Sequence, residues 1–371
     1  MMSRVVLGGV LAAVMLFVGT STYVFLGTKT SKIAEAPQKP TAATPRAQSL
    51  NLPGTLYLTQ SGALYSLYAG RFRQLTGESG WAQPSLYPDG SKLVIVKWGR
   101  MYSDVYVMSR FGQVLRKVTN NAAPPRNSDT GANHWSFYPR IGRDGRVYMA
   151  YDQPKFGYDV VMSIWSMPVN GNIRQGKLWS NADDYAGGDV QPIPLRSGAV
   201  IYTKYSYGPD ARLVGQLWYL DRPFTRYVRS TYGRPLTGPY EDCGNPMLSP
   251  SGTQIAMICT YEKQVSYLVL ASWNGKNLGP RRKIITNQMV AQPTWAPDGS
   301  GIAYFAPAIG AGQFQLWFLP KAAYDPPVAP SQSPGPGGEP SPSPSPLPPV
   351  KPIQLTTNNG LDAASPMAWA A

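Results

Sequence analysis

The sequence is poor in the residues that most chemistry uses. Among 371 residues there is one histidine, His134, and there are two cysteines, Cys243 and Cys259. That excludes a Cys/His metal site, and neither a Gly-rich phosphate loop nor a nucleophile elbow is present. A base–nucleophile triad would have to rest on His134, whose companions Ser128 and Asp129 are near it only in sequence. The acidic pairs Asp183-Asp184 and Glu241-Asp242 fall short of the about six to eight oxygens that Ca²⁺ takes. No catalytic residue, metal or cofactor is expected. Charge is scarce too, at 15 % of residues, and lopsided: 34 Lys/Arg against 20 Asp/Glu, a net +14. No single run concentrates the cations, which argues against nucleic acid. Two readings of the excess stand: an anionic partner such as an envelope polymer, or general solubility.

Gly and Pro, by contrast, supply 37 residues each, and aromatics reach 12 %, with 23 Tyr and 10 Trp. Many short strands joined by turns have this composition. The one long apolar run, Val5 to Leu26, carries no charge between Arg4 and Lys29. As a helix it spans roughly 33 Å, enough for a hydrocarbon core of about 30 Å. It exceeds the apolar core of a signal peptide, and Pro37 follows the small-residue site Ala34-Glu-Ala36, a poor context for cleavage. No cysteine follows for a lipid anchor. The expectation is a single-pass anchor in the cell membrane (1–28), inserted through residues 5–26. A Pro-bearing spacer (29–54) then leads to an extracytoplasmic domain (55–371). Lys29, Lys32 and Lys39 flank the far side, so charge alone does not set the orientation.

The domain is organised by a repeated frame, a proline followed six residues later by a glycine: Pro84/Gly90, Pro139/Gly145, Pro192/Gly198, Pro246/Gly252 and Pro293/Gly299. Pro366 opens a sixth copy. The prolines are 55, 53, 54 and 47 residues apart, then 73. Each frame precedes an apolar strand (Lys92–Val96, Val147–Tyr151, Ala199–Thr203, Gln254–Ile258, Gly301–Phe305) and then an aromatic one such as Gln315-Leu-Trp-Phe-Leu319. Gly turns follow, among them Asn170-Gly171 and Asn274-Gly275, which predict type I′ hairpins. A fourth strand ends in an apolar residue and Thr, as at Val118-Thr119 and Leu355-Thr356. Four antiparallel strands per unit describe propeller blades. Residues 55–76 supply a second, third and fourth strand without a first, and Pro366–Ala370 a first without successors. The predicted fold is therefore all-β, a six-bladed β-propeller whose last blade is closed by N- and C-terminal strands. A Pro/Ser tract at 325–350 interrupts the fifth blade as an extruded loop, either a wall-binding or glycosylated segment or a tolerated insertion.

The phrases Gln83-Pro84 through Pro88-Asp-Gly90, Gln292-Pro-Thr-Trp-Ala-Pro-Asp-Gly299 and Gln74-Leu-Thr76 resemble the WD-like repeat of TolB-type six-bladed propellers, over about 55–371 less the insertion. The resemblance implies that fold and an extracytoplasmic interaction role. Ser197 and Ser251 replace the aspartate before the glycine in two blades. Residues 1–50 read as an anchor rather than a TolB N-terminal domain. A Pal-like partner or Tol-system role is therefore not carried over.

Strand direction puts the Pro-x5-Gly turns on one tight face and the longer loops on the other. Loops on a rigid β scaffold are the usual place for binding. The candidates there are Trp98, Arg100, Tyr102, Trp135, Lys155, Tyr205, Tyr207 and Arg212, aromatic and cationic side chains of the kind that anchor interfaces. The residues before the prolines, Gln83, Tyr138, Gln191, Asn245, Gln292 and Ser365, should ring the central channel. Either they bind a ligand or peptide end there, or they hydrogen-bond neighbouring blades. If Ser249 pairs with Gln254, Cys243 falls opposite Thr260, one position from Cys259. The two thiols are either a disulfide, implying an oxidising compartment, or unrelated and buried. The expected function is a binding or scaffold module, monomeric, recognising a protein or an anionic cell-envelope polymer. The alternative is a glycan-acting enzyme at the channel mouth that uses acids such as Asp189 or Asp242.

Overall fold

The computed structural model describes residues 52–371, apart from 125–129, 154, 156–159, 183–185, 209–210, 225–232, 262–264, 309–311 and 326–349. The expected anchor (5–26), nearly all of the spacer, the body of the Pro/Ser tract, Ser128, Asp129, Asp183 and Asp184 lie outside the described residues. Among those described, no helix is long and apolar enough to cross a membrane.

Six four-stranded antiparallel sheets form the six blades. The first blade runs from Trp81 to Lys117, the second from Ser136 to Leu178, the third from Asp189 to Pro235, the fourth from Asp242 to Ile285 and the fifth from Ala291 to Gln354. The sixth joins the N-terminal strands Thr55–Gln60, Ala63–Tyr68 and Arg71–Gln74 to the C-terminal Ala368–Ala370. Thr55 pairs with Ala370, Leu56 with Trp369 and Tyr57 with Ala368, as the split repeat predicts. The tract in the fifth blade enters after Phe314–Pro320 and leaves before Ile353–Gln354, the third and fourth strands.

A single blade has two apolar faces, and the second strands show why. Leu93 and Ile95 turn toward the sixth blade, packing with Tyr57 and Leu64, while Val94 packs on Val147 and Met149 of the second. Alternation of this kind buries a strand on both sides only between two neighbours. The core accordingly falls into six clusters, one between each adjacent pair of blades. The outermost strands carry the exposed cations, Arg71, Arg73, Arg116, Arg282 and Lys283 among them.

The frame glycines hold positive φ, from +69° at Gly90 to +86° at Gly198, which a side chain would strain. The Asn-Gly turns differ from the type I′ expectation. At Asn274-Gly275 only the glycine has positive φ, +94°, because the Asn274 side chain accepts the amides of Lys276 and Asn277 and caps the loop itself. Asn170-Gly171 has no positive φ and leads into a short 3-10 turn at Ile173–Gln175, with Asn172 as its cap.

The fourth-strand hydroxyl has a defined use. Thr76, Thr119, Ser180, Thr237 and Thr356 each accept the amide of a third-strand residue at 2.9–3.0 Å, in five of the six blades. The bond replaces a ladder contact where the short outer strand runs out.

Cys243 and Cys259 are bridged, with Cα atoms 4.0 Å apart and a sequence separation of 16. They are direct cross-strand partners rather than one position out of step. The strand gains a residue between Gly244 and Met247, which shifts the pairing beyond it.

Two outcomes follow for the domain's stability. Trp369 packs against Phe318 at 6.1 Å and donates to the Pro53 carbonyl at 2.6 Å. Trp369→Ala is expected to cost about 3–5 kcal/mol by equilibrium denaturation, through the cavity left in the closing blade. Replacing both cysteines by alanine is expected to cost about 3 kcal/mol in the same assay, the loop-closure term for a bridge of this span.

Candidate functional site

The channel is built by the innermost strands, and all five complete frames do the same thing at the proline. Register against the second strand slips by one residue between Ala82 and Ser85, Phe137 and Arg140, Val190 and Ile193, Gly244 and Met247, and Ala291 and Thr294. Each is a β-bulge. The residue before the proline takes the left-handed conformation: φ is +56° at Gln83, +52° at Tyr138, +57° at Gln191, +51° at Asn245 and +49° at Gln292. A following proline disfavours right-handed α backbone, so a bulge at this point must go another way.

The bulge takes that residue out of its own ladder, and its amide turns to the preceding blade. Ser365 Oγ accepts from the Gln83 amide at 2.7 Å, Gln83 Oε1 from the Tyr138 amide at 2.6 Å, and Gln191 Oε1 from the Asn245 amide at 2.8 Å. Gln191 also accepts the Thr203 hydroxyl at 2.8 Å and donates Nε2 to Asn245 Oδ1 at 2.7 Å. The structure thus brings Gln83, Gln191, Asn245 and Gln292 to one level, where Gln83, Gln191 and Asn245 join blades. Tyr138, Gln191, Asn245 and Gln292 line a gap of about 10 Å³ there.

Below this level, the residues after the prolines form a second ring: Ser85, Arg140, Ile193, Met247, Thr294 and Met367. They line a cavity of about 380 Å³ that opens toward the tight-turn face. This ring is not among the predicted site residues, although the same frame that marks the residues before the prolines marks it too.

On the loop-rich face the aromatic candidates converge. Trp98 lies 4.9 Å from Phe137 and 5.6 Å from Trp135, and Trp135 lies 5.8 Å from Phe137, ring centroid to centroid. Trp98 remains 45 % exposed, beside Met101 at 47 %. Phe137 completes the cluster and was not among the predicted residues; its place directly before a residue of the proline ring is the signal that could have found it. Arg100 is exposed, and the Tyr102 ring lies across Gly99. On the third blade Tyr207 and Arg212 are exposed on the same loop. Tyr205 is turned inward: burial, then Tyr138 and Asp242 nearby, push its phenol up to about 12.

Lys155 is not a surface cation. Its Nζ donates to the Asn133 carbonyl at 2.6 Å and lies 3.5 Å from Asp152, which is fully buried. The same carboxylate takes His134 Nδ1 at 2.8 Å. His134 therefore has an acid partner, Asp152, in place of the Asp129 suggested by sequence. On its Nε2 the only described group is the Gln153 amide at 3.5 Å, and no nucleophile meets it. Other acids, buried and half-buried, are similarly engaged. Asp104 binds Lys117 at 2.8 Å, Asp189 lies 3.5 Å from Lys204, and Asp242 accepts the Gly215 amide at 2.8 Å. Glu241 pairs with Arg281. Among the described residues there is no cluster of His, Cys, Asp or Glu that could hold a metal ion.

This arrangement can present a rigid aromatic surface flanked by cations, and its acids act as acceptors for fixed donors. Gln83→Leu leaves the Tyr138 amide without its acceptor and is expected to cost about 1–3 kcal/mol in a denaturant titration, whereas exposed Arg100→Ala should stay within about 0.5 kcal/mol.

No protein-family profile matches this sequence, and no curated protein does. Among solved structures the chain is similar to TolB from Acinetobacter baumannii, with 16 % identity and a TM-score of 0.51, over 73 % of this chain and 62 % of that one. It is also similar to a putative TolB from Agrobacterium tumefaciens, with 15 % identity and a TM-score of 0.48, over 72 % and 85 % of the two chains. An oligogalacturonate lyase in complex with manganese shares 13 % identity at a TM-score of 0.45, over 70 % and 68 %. The chain spans less than two thirds of the length of the A. baumannii protein. With six blades in place and the ring closed by Ala368–Ala370, the chain is a six-bladed β-propeller of the TolB-like fold.

Proposed function

We propose that this chain is a membrane-anchored, extracytoplasmic binding or scaffold module whose loop-rich face takes a protein partner, with an anionic envelope polymer as the other ligand class of the same face. The observation that carries the reading is the Trp98–Trp135–Phe137 cluster, held on a closed β scaffold and still partly open to solvent beside Met101 and Arg100. Large rigid aromatics with an arginine at hand are the side chains that dominate protein interfaces. The uncharged run at residues 5–26 supports the anchor. The Cys243–Cys259 bridge supports an oxidising compartment, because cytosolic thiols stay reduced. The paired state of Asp152, Asp189 and Asp242 speaks for binding over acid–base chemistry, since each carboxylate already has a fixed cationic or amide partner.

Capture from solubilised cell envelope by an immobilised 50–371 fragment tests this. Trp98→Ala combined with Arg100→Glu is expected to lower capture of the partner about 30-fold or more, the loss of a hot spot of about 2 kcal/mol, with an unchanged melting temperature. Undiminished capture by that variant, against loss on altering Arg71 and Arg73 at the outer rim, would move the site off this face.

A further inference from the structure

The ring of residues after the prolines holds one charge, Arg140. Its neighbours are two hydroxyls, Ser85 and Thr294, and three apolar side chains, Ile193, Met247 and Met367. Arg140 stands half-buried inside the propeller, yet among the described residues its guanidinium has neither an ion pair nor a hydrogen bond. Burial alone acts on it, pulling it down to about 10, with no carboxylate near enough to work in the other direction. The largely buried lysines Lys155 and Lys204, by contrast, each have an acid, Asp152 and Asp189. An enclosed charge with no partner is costly and normally satisfied. Water in the channel can solvate it, but an anion would serve it better.

We propose that the channel cavity is a binding site for an organic carboxylate with an apolar body, anchored by Arg140 and entered from the tight-turn face. A single guanidinium matches one carboxylate in two parallel hydrogen bonds, whereas a phosphate ester would call for more than one cation. Ser85, on the adjoining blade, offers a further donor. The apolar members of the ring, with Trp295 and Leu86 beyond them, take the hydrocarbon part. The space of about 380 Å³ suits a small ligand. On its other side lies a gap of only about 10 Å³, lined by Tyr138, Gln191, Asn245 and Gln292 along with Arg140 and Met247. Outside the entrance is a second hollow of about 480 Å³, whose lining includes the exposed arginines Arg143 and Arg196. Cations on the approach raise the local concentration of an anion and speed its entry. The carboxylate could come from a free small acid or from the C-terminus of a peptide. The site lies on the face opposite the aromatic cluster, so it stands or falls independently of the proposed partner face.

Isothermal titration of the full-length chain tests the site, with 4-phenylbutyrate, its amide, inorganic phosphate and a Leu-Leu-Phe tripeptide with free or amidated C-terminus as probes. Saturable binding of 4-phenylbutyrate is expected, at least tenfold tighter than its amide or phosphate, and weakened at least tenfold by Arg140→Met. Tighter binding of the free-acid tripeptide than of 4-phenylbutyrate identifies the ligand as a chain terminus, and the reverse identifies a small acid. Met247→Glu gives Arg140 an internal partner. It is expected to abolish carboxylate binding while raising the melting temperature, so the proposal is still tested if Arg140→Met fails to fold. Failure of either carboxylate to bind the wild-type chain at millimolar concentration, binding undiminished in Arg140→Met, or phosphate binding as tightly as 4-phenylbutyrate would overturn it.

Discussion

The left-handed residue before each repeat proline is the constraint on which the rest of this propeller depends. Such a residue costs on the order of 1 kcal/mol outside glycine, and the fold places one in each of five blades. The strain is held by bonds that cross between blades, as where Gln83 takes the Tyr138 amide. Because each bulge inserts one residue, it also fixes which side chains enter the channel on either side of it. The narrow level and the wider cavity beneath it are consecutive products of the same backbone defect.

The distribution of charge follows from that geometry. Acids that face inward near the loop-rich end are few, and each meets a cation or an amide, so they stiffen the ends of strands. Among the described residues, many of the exposed lysines and arginines sit on the outermost strands, where they affect solubility and encounter more than folding. Arg140 fits neither group, and this is why it stands out.

Much of the fold was legible because proline and glycine mark backbone geometry directly. The frame gave blade number, strand order and the shared sixth blade without reference to side-chain packing. What it concealed was the extra residue inside each innermost strand. Counting back from the Ser249–Gln254 turn put Cys243 opposite Thr260, an error of one position that the bulge at Gly244–Met247 accounts for. The aromatic candidates Trp98 and Trp135 do meet, but Lys155 turns to Asp152, a pairing between two residues whose charges look equally solvated in the sequence. Arg140 was hidden for the opposite reason: a lone arginine in a strand reads as an outward-facing residue until the bulge shows which way it points. The Asn-Gly turns were misjudged because an asparagine side chain can cap a loop without its own backbone turning left-handed.

Closure of the sixth blade has a consequence for the order of events during synthesis. Five blades are assembled from segments contiguous in the chain, and their strands can pair as each segment emerges. The strands Thr55–Gln60, Ala63–Tyr68 and Arg71–Gln74 emerge first, yet the inner edge of their sheet stays unpaired until Ala368–Ala370 follows. Until then the first-emerging part of the domain carries an open strand edge, a surface prone to joining another chain. The interval between the first and last strands sets how long this protein needs protection before the ring shuts.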